Sequence, residues 1–196
     1  MSLFSKVSTF AVVYKESEEA VHFRKSTPDD IDCIMDILTH GRRAIAALGI
    51  DQWQGGYPHR DVVEQDVARN ESYVVEDEGS VIATVMIGFS GEACYDFIAG
   101  GKWLTPGDSR DPRYAVLHRV AVGAHSQGKG VATFLLKEAE CLVREQDFAS
   151  VRIDTHPGNT PMRRLLEKCG YTSCGTIFIA HAEGASPDRT AYEKLV

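Results

Sequence analysis

The chain has 196 residues, about one domain's worth, and its 28 acidic residues against 21 Lys and Arg give a net charge of −7. That balance argues against a nucleic-acid partner, which would need a basic face to neutralise phosphates; it is compatible with a cationic or neutral small substrate. A hydrophobic share of 43% is too high for a disordered chain, and no window approaches the roughly 18 consecutive apolar residues of a membrane span.

Met1 to Ala20 contains Lys6, Lys15 and several acids but no continuous apolar run or small-residue cleavage site. It reads as an N-terminal extension rather than a signal peptide, leaving residues 21–196 as one domain. Val21 to Ser26 is predicted as a short strand. Thr27-Pro28-Asp29-Asp30 then opens a helix, with a capping residue, a proline in the first turn and acids at the positive end of the dipole. Ile31, Ile34, Met35 and Leu38 follow at helical spacing, and Ala44, Ile45 and Leu48 extend the face beyond Gly41. Residues 49–60 read as a loop, and 61–70 as a short helix. Ser72–Glu76 and Val81–Phe89 form a predicted hairpin around Asp77-Glu78-Gly79-Ser80, and 90–113 is irregular.

The second half is more regular. Tyr114–Val122 is an apolar strand, Gly123–Lys129 a glycine-bearing turn, and Val131 to Val143 a helix stripe. Val151–Thr155 is a strand. Met162, Leu165, Leu166 and Cys169 mark a second helix ended by Gly170. Two last strands fall at 171–179 and 190–196. Strands interleaved with helices predict an α/β (α+β) single domain with a mixed sheet.

Five cysteines, an odd number without two-residue spacing, argue against a disulfide framework or a zinc site. No metal is therefore expected, and a reducing, cytoplasmic setting without a membrane partner fits best.

The richest segment runs from Val120 to Ala132. A strand–glycine turn–helix presents backbone N–H groups at a helix N-terminus, where the dipole favours negative charge. Gly128 and Gly130 let a phosphate approach the main chain; the other reading is a tight connection and nothing more. Gly123 to Lys129 matches the nucleotide pattern G-x-x-x-x-G-K, but Gly130 stands where a magnesium-binding hydroxyl belongs. Thr133 breaks the dinucleotide pattern G-x-G-x-x-G. Gln127-Gly128-Lys129-Gly130-Val131-Ala132 fits Q/R-x-x-G-x-G/A, the acyl-coenzyme A pyrophosphate loop, at every defined position.

With that loop, the strand Leu117–Val122 before it, the Val131–Glu145 helix after it, the Val151–Thr155 strand, Asn159 and the run Leu165-Leu166-Glu167-Lys168-Cys169-Gly170-Tyr171, the chain resembles the GNAT superfamily of N-acetyltransferases. The resemblance implies a mostly antiparallel sheet with splayed central strands, flanked by helices. It implies acetyl-CoA as cosubstrate, its pyrophosphate on Gln127, Gly128, Lys129, Gly130, Val131 and Ala132. The pantetheine arm would lie along Val120, Ala121 and Val122, with Asn159 bonding the arm or its phosphate region or else capping a helix.

The acceptor would be a primary amine of a small molecule or peptide. His118 is the first candidate base, sharing a face with Val116, Val120 and Val122 on strict alternation; the alternative is a core histidine. His156 is a second candidate base or a solvated loop histidine. Trp53 and Tyr57, with Asp51, either cage a cationic amine or tuck into the core. Leu166 replaces the tyrosine that protonates the leaving thiolate in many relatives, and Tyr171 is expected to pack. Non-catalytic acyl-CoA sensing, a bulkier donor such as succinyl-CoA and a homodimer remain compatible readings, and a nucleotidase is disfavoured by Gly130.

Overall fold

Residues 21–179 and 186–196 are described in the computed structural model, so the expected extension over 1–20 lies outside the described residues. The β-branched runs form β1 (His22–Lys25), β2 (Ser72–Asp77), β3 (Ser80–Gly88), β4 (Tyr114–Val122), β5 (Ser150–Thr155), β6 (Thr172–Phe178) and β7 (Asp188–Leu195). They join in one sheet of order β1-β2-β3-β4-β5-β7-β6. Helices α1 (Ile31–Ala46), α2 (Arg60–Ala68), α3 (Val131–Glu145) and α4 (Thr160–Lys168) cover its two faces. The predicted mixed, mostly antiparallel sheet is therefore present.

A 3₁₀ turn over Pro28–Asp30 opens α1. The backbone N–H and hydroxyl of Thr27 both donate to Asp30 Oδ2, at 2.7 and 3.0 Å, and Arg24 grips the same carboxylate with two bonds of 2.8 and 2.9 Å. The helix runs unbroken through Gly41. A Cβ there would stand 3.3 Å from the Trp53 ring, so the glycine makes room for that indole.

Two cores result. On one face Leu135, Leu136 and Ala139 of α3 and Leu166 of α4 pack on Val85, Ala115, Leu117 and Ile153. On the other, Ile34, Ile37 and Leu38 of α1 and Val63 of α2 pack on Val74 and Ala121. Each fully buried aliphatic side chain contributes roughly 1.5–3 kcal/mol.

Strand β4 carries the main irregularity. Thr84 pairs with Ala121 and Met86 with His118, so Val85 faces two residues, Arg119 and Val120. Arg119 has φ +55°. A bulge of one residue reverses the facing of everything beyond it. Val120 and Val122 accordingly pack with Ala115 and Leu117, and Ala121 packs under α1. The expectation from alternation that His118 shares a face with Val120 and Val122 is thus corrected: His118 belongs with Tyr114 and Val116, on the opposite side.

The parallel pairing of β4 with β5 spans only Tyr114↔Ser150 to Leu117↔Ile153. Beyond it the strands part, leaving the β5-side edge of His118–Val122 without a strand partner. This is the central splay.

The segment after β3 is irregular, as predicted, and is pinned by a buried cluster. Arg152 and Glu193 are both fully buried and meet at 3.1 Å (Nε–Oε1). Glu193 also accepts from Ser150 and Thr105 hydroxyls, and Arg152 Nη2 donates to the Thr105 carbonyl at 2.8 Å. The guanidinium lies 4.3 Å from the Trp103 ring centroid and 3.6 Å from that of Tyr114.

Candidate active site

The turn after β4 begins with Gly123 N–H donating to Ile82 O at 2.8 Å, which ties it to β3. Gly128 and Gly130 adopt φ of +74° and +84°, a region that glycine enters freely. A Cβ at either position would meet nothing within 4 Å, so open space lies over the main chain there. Gly130 is the N-cap of the 15-residue α3 and has no capping side chain, which leaves the first-turn N–H groups for solvent or an anion. Gln127, Gly128, Lys129 and Gly130 are exposed, Val131 and Ala132 half-buried. Gln127 reaches His40 of α1 at 2.9 Å. These residues fit a pyrophosphate, and the free edge of β4 leads from them toward the splay.

A cleft of about 570 Å³ opens on the other side of that edge. Trp53, Tyr57, His118, Val120 and Asn159 line it, together with Asp51, Asp66, Glu92 and Arg119. The structure therefore gathers most of the predicted side chains, but in altered roles. Trp53 packs against the α1 core. The Tyr57 hydroxyl accepts from Arg119 Nη1 at 2.5 Å, and Arg119 Nη2 lies 2.8 and 2.7 Å from the two Asp66 oxygens. Trp53 thus follows the core reading, and a resident guanidinium stands where the other reading put an aromatic cage. Burial lifts the Asp66 carboxyl above its ordinary range, even beside Arg119.

Asn159 accepts from Met162 N–H at 3.3 Å, capping α4, and donates to Gln52 Oε1 at 3.1 Å. Of its two readings the cap is realised, and its amide is already engaged. Gln52, buried at the cleft floor, also accepts from Thr155 Oγ1 and His156 N–H, both at 3.4 Å. Its organising role had no signal in the sequence beyond one amide in a polar loop. His156 is outside the cleft wall: Nδ1 accepts from Gly158 N–H at 2.9 Å and Nε2 lies 3.5 Å from Asp51. Asp51 in turn accepts from Ser186 N–H at 2.7 Å.

His118 is 23% exposed, and its Nε2 lies 3.0 Å from Glu92 Oε1. The hydrogen bond to His118 holds the Glu92 carboxyl below its usual range despite burial. Burial and the neighbouring Glu92 push the Cys94 thiol up to about 12, which keeps it neutral and unreactive. Leu166 is fully buried in the α3–α4 core. Tyr171 packs in that core too, its hydroxyl raised far above the ordinary range by burial. No cluster of three or more metal-ligating side chains occurs among the described residues.

The profile of the acetyltransferase (GNAT) family matches residues 42–171. A GNAT-family acetyltransferase from Streptococcus agalactiae is 30% identical, with TM-score 0.79 over 90% of this chain and 96% of that one. The PaiA N-acetyltransferase of Thermoplasma acidophilum, solved with coenzyme A, is 14% identical with TM-score 0.63, over 90% of this chain and 99% of its own. The ribosomal-protein-alanine N-acetyltransferase of Brucella melitensis is 18% identical with TM-score 0.62, over 89% and 99%. The last two bear on the fold alone. No curated protein matches. A two-faced sheet parted between β4 and β5 above a glycine-capped helix defines an acyltransferase fold, and the chain belongs to the GNAT acetyltransferase family.

Proposed function

We propose that this protein transfers an acetyl group from acetyl-CoA to a primary amine of a small molecule or peptide, with His118 as general base. The observation that carries the reading is placement. His118 projects into the cleft from the point where β4 leaves β5, and the anion cradle stands at the far end of the same strand.

When bound, acetyl-CoA supplies an activated acyl carbon and a thiolate leaving group. The N–H groups of Gln127 to Ala132 hold its pyrophosphate, and the free edge of Val120–Val122 offers main-chain partners to the pantetheine arm. His118 takes the proton of the acceptor amine directly or through one water. Leu166 has no proton to give, so the thiolate departs unprotonated, which its ordinary pKa near 8.5 permits. Trp53 and the Tyr57–Arg119–Asp66 group form the acceptor wall. Five free cysteines support a reducing, cytoplasmic location, and no helix among the described residues is long and apolar enough to cross a membrane.

A panel of amines incubated with acetyl-CoA, read by release of free thiol, tests the activity. His118→Gln is expected to lower the rate about 10²-fold on the best amine. The buried Leu166 favours a second reading, a non-catalytic acyl-CoA sensor. CoA binding with no turnover across the panel is its signature and overturns the first.

A further inference from the structure

We propose that Glu92, on the segment after β3, is the positioning residue for His118: it fixes the ring with the proton on Nε2, so that Nδ1 is the atom that receives the amine proton. This rests on the reading of His118 as general base.

An ionised carboxylate only accepts, so at 3.0 Å the hydrogen must sit on His118 Nε2. A neutral imidazole carries one N–H, which leaves the lone pair on Nδ1. No hydrogen bond from the described residues reaches Nδ1, and it is not among the buried unpartnered atoms, so its lone pair is unclaimed on a residue that lines the cleft. Glu92 itself is firmly held. Its N–H donates to the Tyr114 hydroxyl at 3.4 Å and its carbonyl accepts from Tyr95 N–H at 2.9 Å. Tyr114 lies against the sealed Arg152 guanidinium.

The surrounding charges leave Glu92 as the partner of His118. On β4 and α2, Arg119 and Asp66 form an ion pair at 2.7 Å, and beyond it Asp66 faces His118 and Arg119 faces Glu92 as charges without a hydrogen bond. Arg69, just past α2, faces Asp66 and Glu71. Cys94 is held neutral. Asp154 of β5 is engaged by the Tyr95 hydroxyl at 2.8 Å and faces Arg189 at 3.9 Å. Among the described side chains, the Glu92 carboxylate hydrogen-bonds to His118 alone.

In the step, the amine nitrogen bonds to the acyl carbon and the carbon–sulfur bond breaks. Sulfur leaves with the electron pair as thiolate, and the amine proton moves to Nδ1. The ring becomes imidazolium, and Glu92 stabilises it through the same Nε2–H bond, as the carboxylate does in a serine-hydrolase triad.

The test uses Glu92→Gln and Glu92→Asp in the full chain. Nitrogen-15 NMR of His118 is expected to report a single Nε2–H tautomer in the wild type. In Glu92→Gln it is expected to report a mixture, because an amide can donate or accept. With the best amine, kcat should fall about tenfold with the KM for acetyl-CoA unchanged. The acidic limb of the pH–rate profile should move toward lower pH, since removing an adjacent negative charge disfavours imidazolium. Glu92→Asp should restore part of both. A wild-type tautomer and profile in Glu92→Gln, alongside a large rate loss in His118→Gln, overturns the role of Glu92 alone. Unchanged turnover in His118→Gln overturns the base assignment beneath it.

Discussion

Along one side of the splay, from Val120 to Ala132, the groups on offer are main-chain ones: a free strand edge, two glycines at positive φ and an uncapped helix start. Across the cleft they are side chains from separate segments, with Gln52 and Tyr57 before α2, Asp66 on it, Glu92 after β3, and His118 and Arg119 on β4. A main-chain site needs only local backbone geometry, so short contiguous patterns encode it. A side-chain site is a product of tertiary contact, and its partners are far apart in sequence: Glu92 and His118 by 26 residues, Arg119 and Tyr57 by 62. On the proposed function, the first side would take a donor of fixed chemistry and the second an acceptor that single substitutions could change.

The sharpest way to break that contrast is at the anchor of the side-chain wall. Glu193→Gln leaves the Arg152 charge buried without its counter-ion, and loss of one partner of such a pair costs about 3–5 kcal/mol. Urea unfolding should record that loss, with CoA affinity kept in the protein that remains folded. A loss below about 1 kcal/mol would mean the anchor is dispensable. Next is Leu166→Tyr. Leu166 has no exposed surface, so the extra ring should overpack the α3–α4 core by about 1–3 kcal/mol and bring no gain in rate. Thermal melts beside thiol-release kinetics check this, and an equally stable, faster variant would return an acid to α4.

Gly130→Ala probes the main-chain side alone. Nothing obstructs the added methyl, but φ of +84° disfavours it and the turn must shift. CoA binding by calorimetry should weaken about tenfold, or roughly 1.4 kcal/mol, with the amine KM unchanged. An unaltered affinity would remove the cradle from this turn.

The smallest effect is on the start of α1. Arg24, with Thr27, holds the Asp30 carboxyl down to about 2, below its unfolded value of about 3.9. A depressed folded pKa stabilises above the unfolded value, and the benefit fades as pH falls through the folded one. Asp30→Asn should therefore melt lower than wild type by about 0.5–1 kcal/mol near neutrality. The gap should narrow between about pH 4 and 2 and vanish below, by thermal melts in a pH series; a constant gap would contradict the ion pair.

Strand β4 and helix α3 were legible to within two residues, because a nine-residue apolar run interrupted only by His118 and Arg119 and a complete helical stripe leave little ambiguity. The glycine turn was legible as well, since the positive φ of Gly128 and Gly130 favours the residue type that marks it. The continuation of α1 past Gly41 was legible from Ala44 and Ile45, but the closeness of Trp53 to that glycine was not. The bulge was hidden. Arg119 takes a positive φ without being Gly, Asn or Asp, so no residue type advertised it, and the facing of His118 was misread as a result. Asn159 could be read as a cap or a donor ligand; the cap is seen in its Met162 contact, and its amide also bonds Gln52.

That bulge makes β4 a strand of two phases, odd positions facing α3 as far as Leu117 and even positions doing so from Val120 onward. Randomising every second residue from 118 onward would vary His118 and Val120, which both line the cleft, and then Val122, which does not. Val120 and Val122 also pack against the α3 face of the sheet, where substitutions disturb the core. The cleft position held by Asp66 and Tyr57 is Arg119, the one an alternating scheme skips.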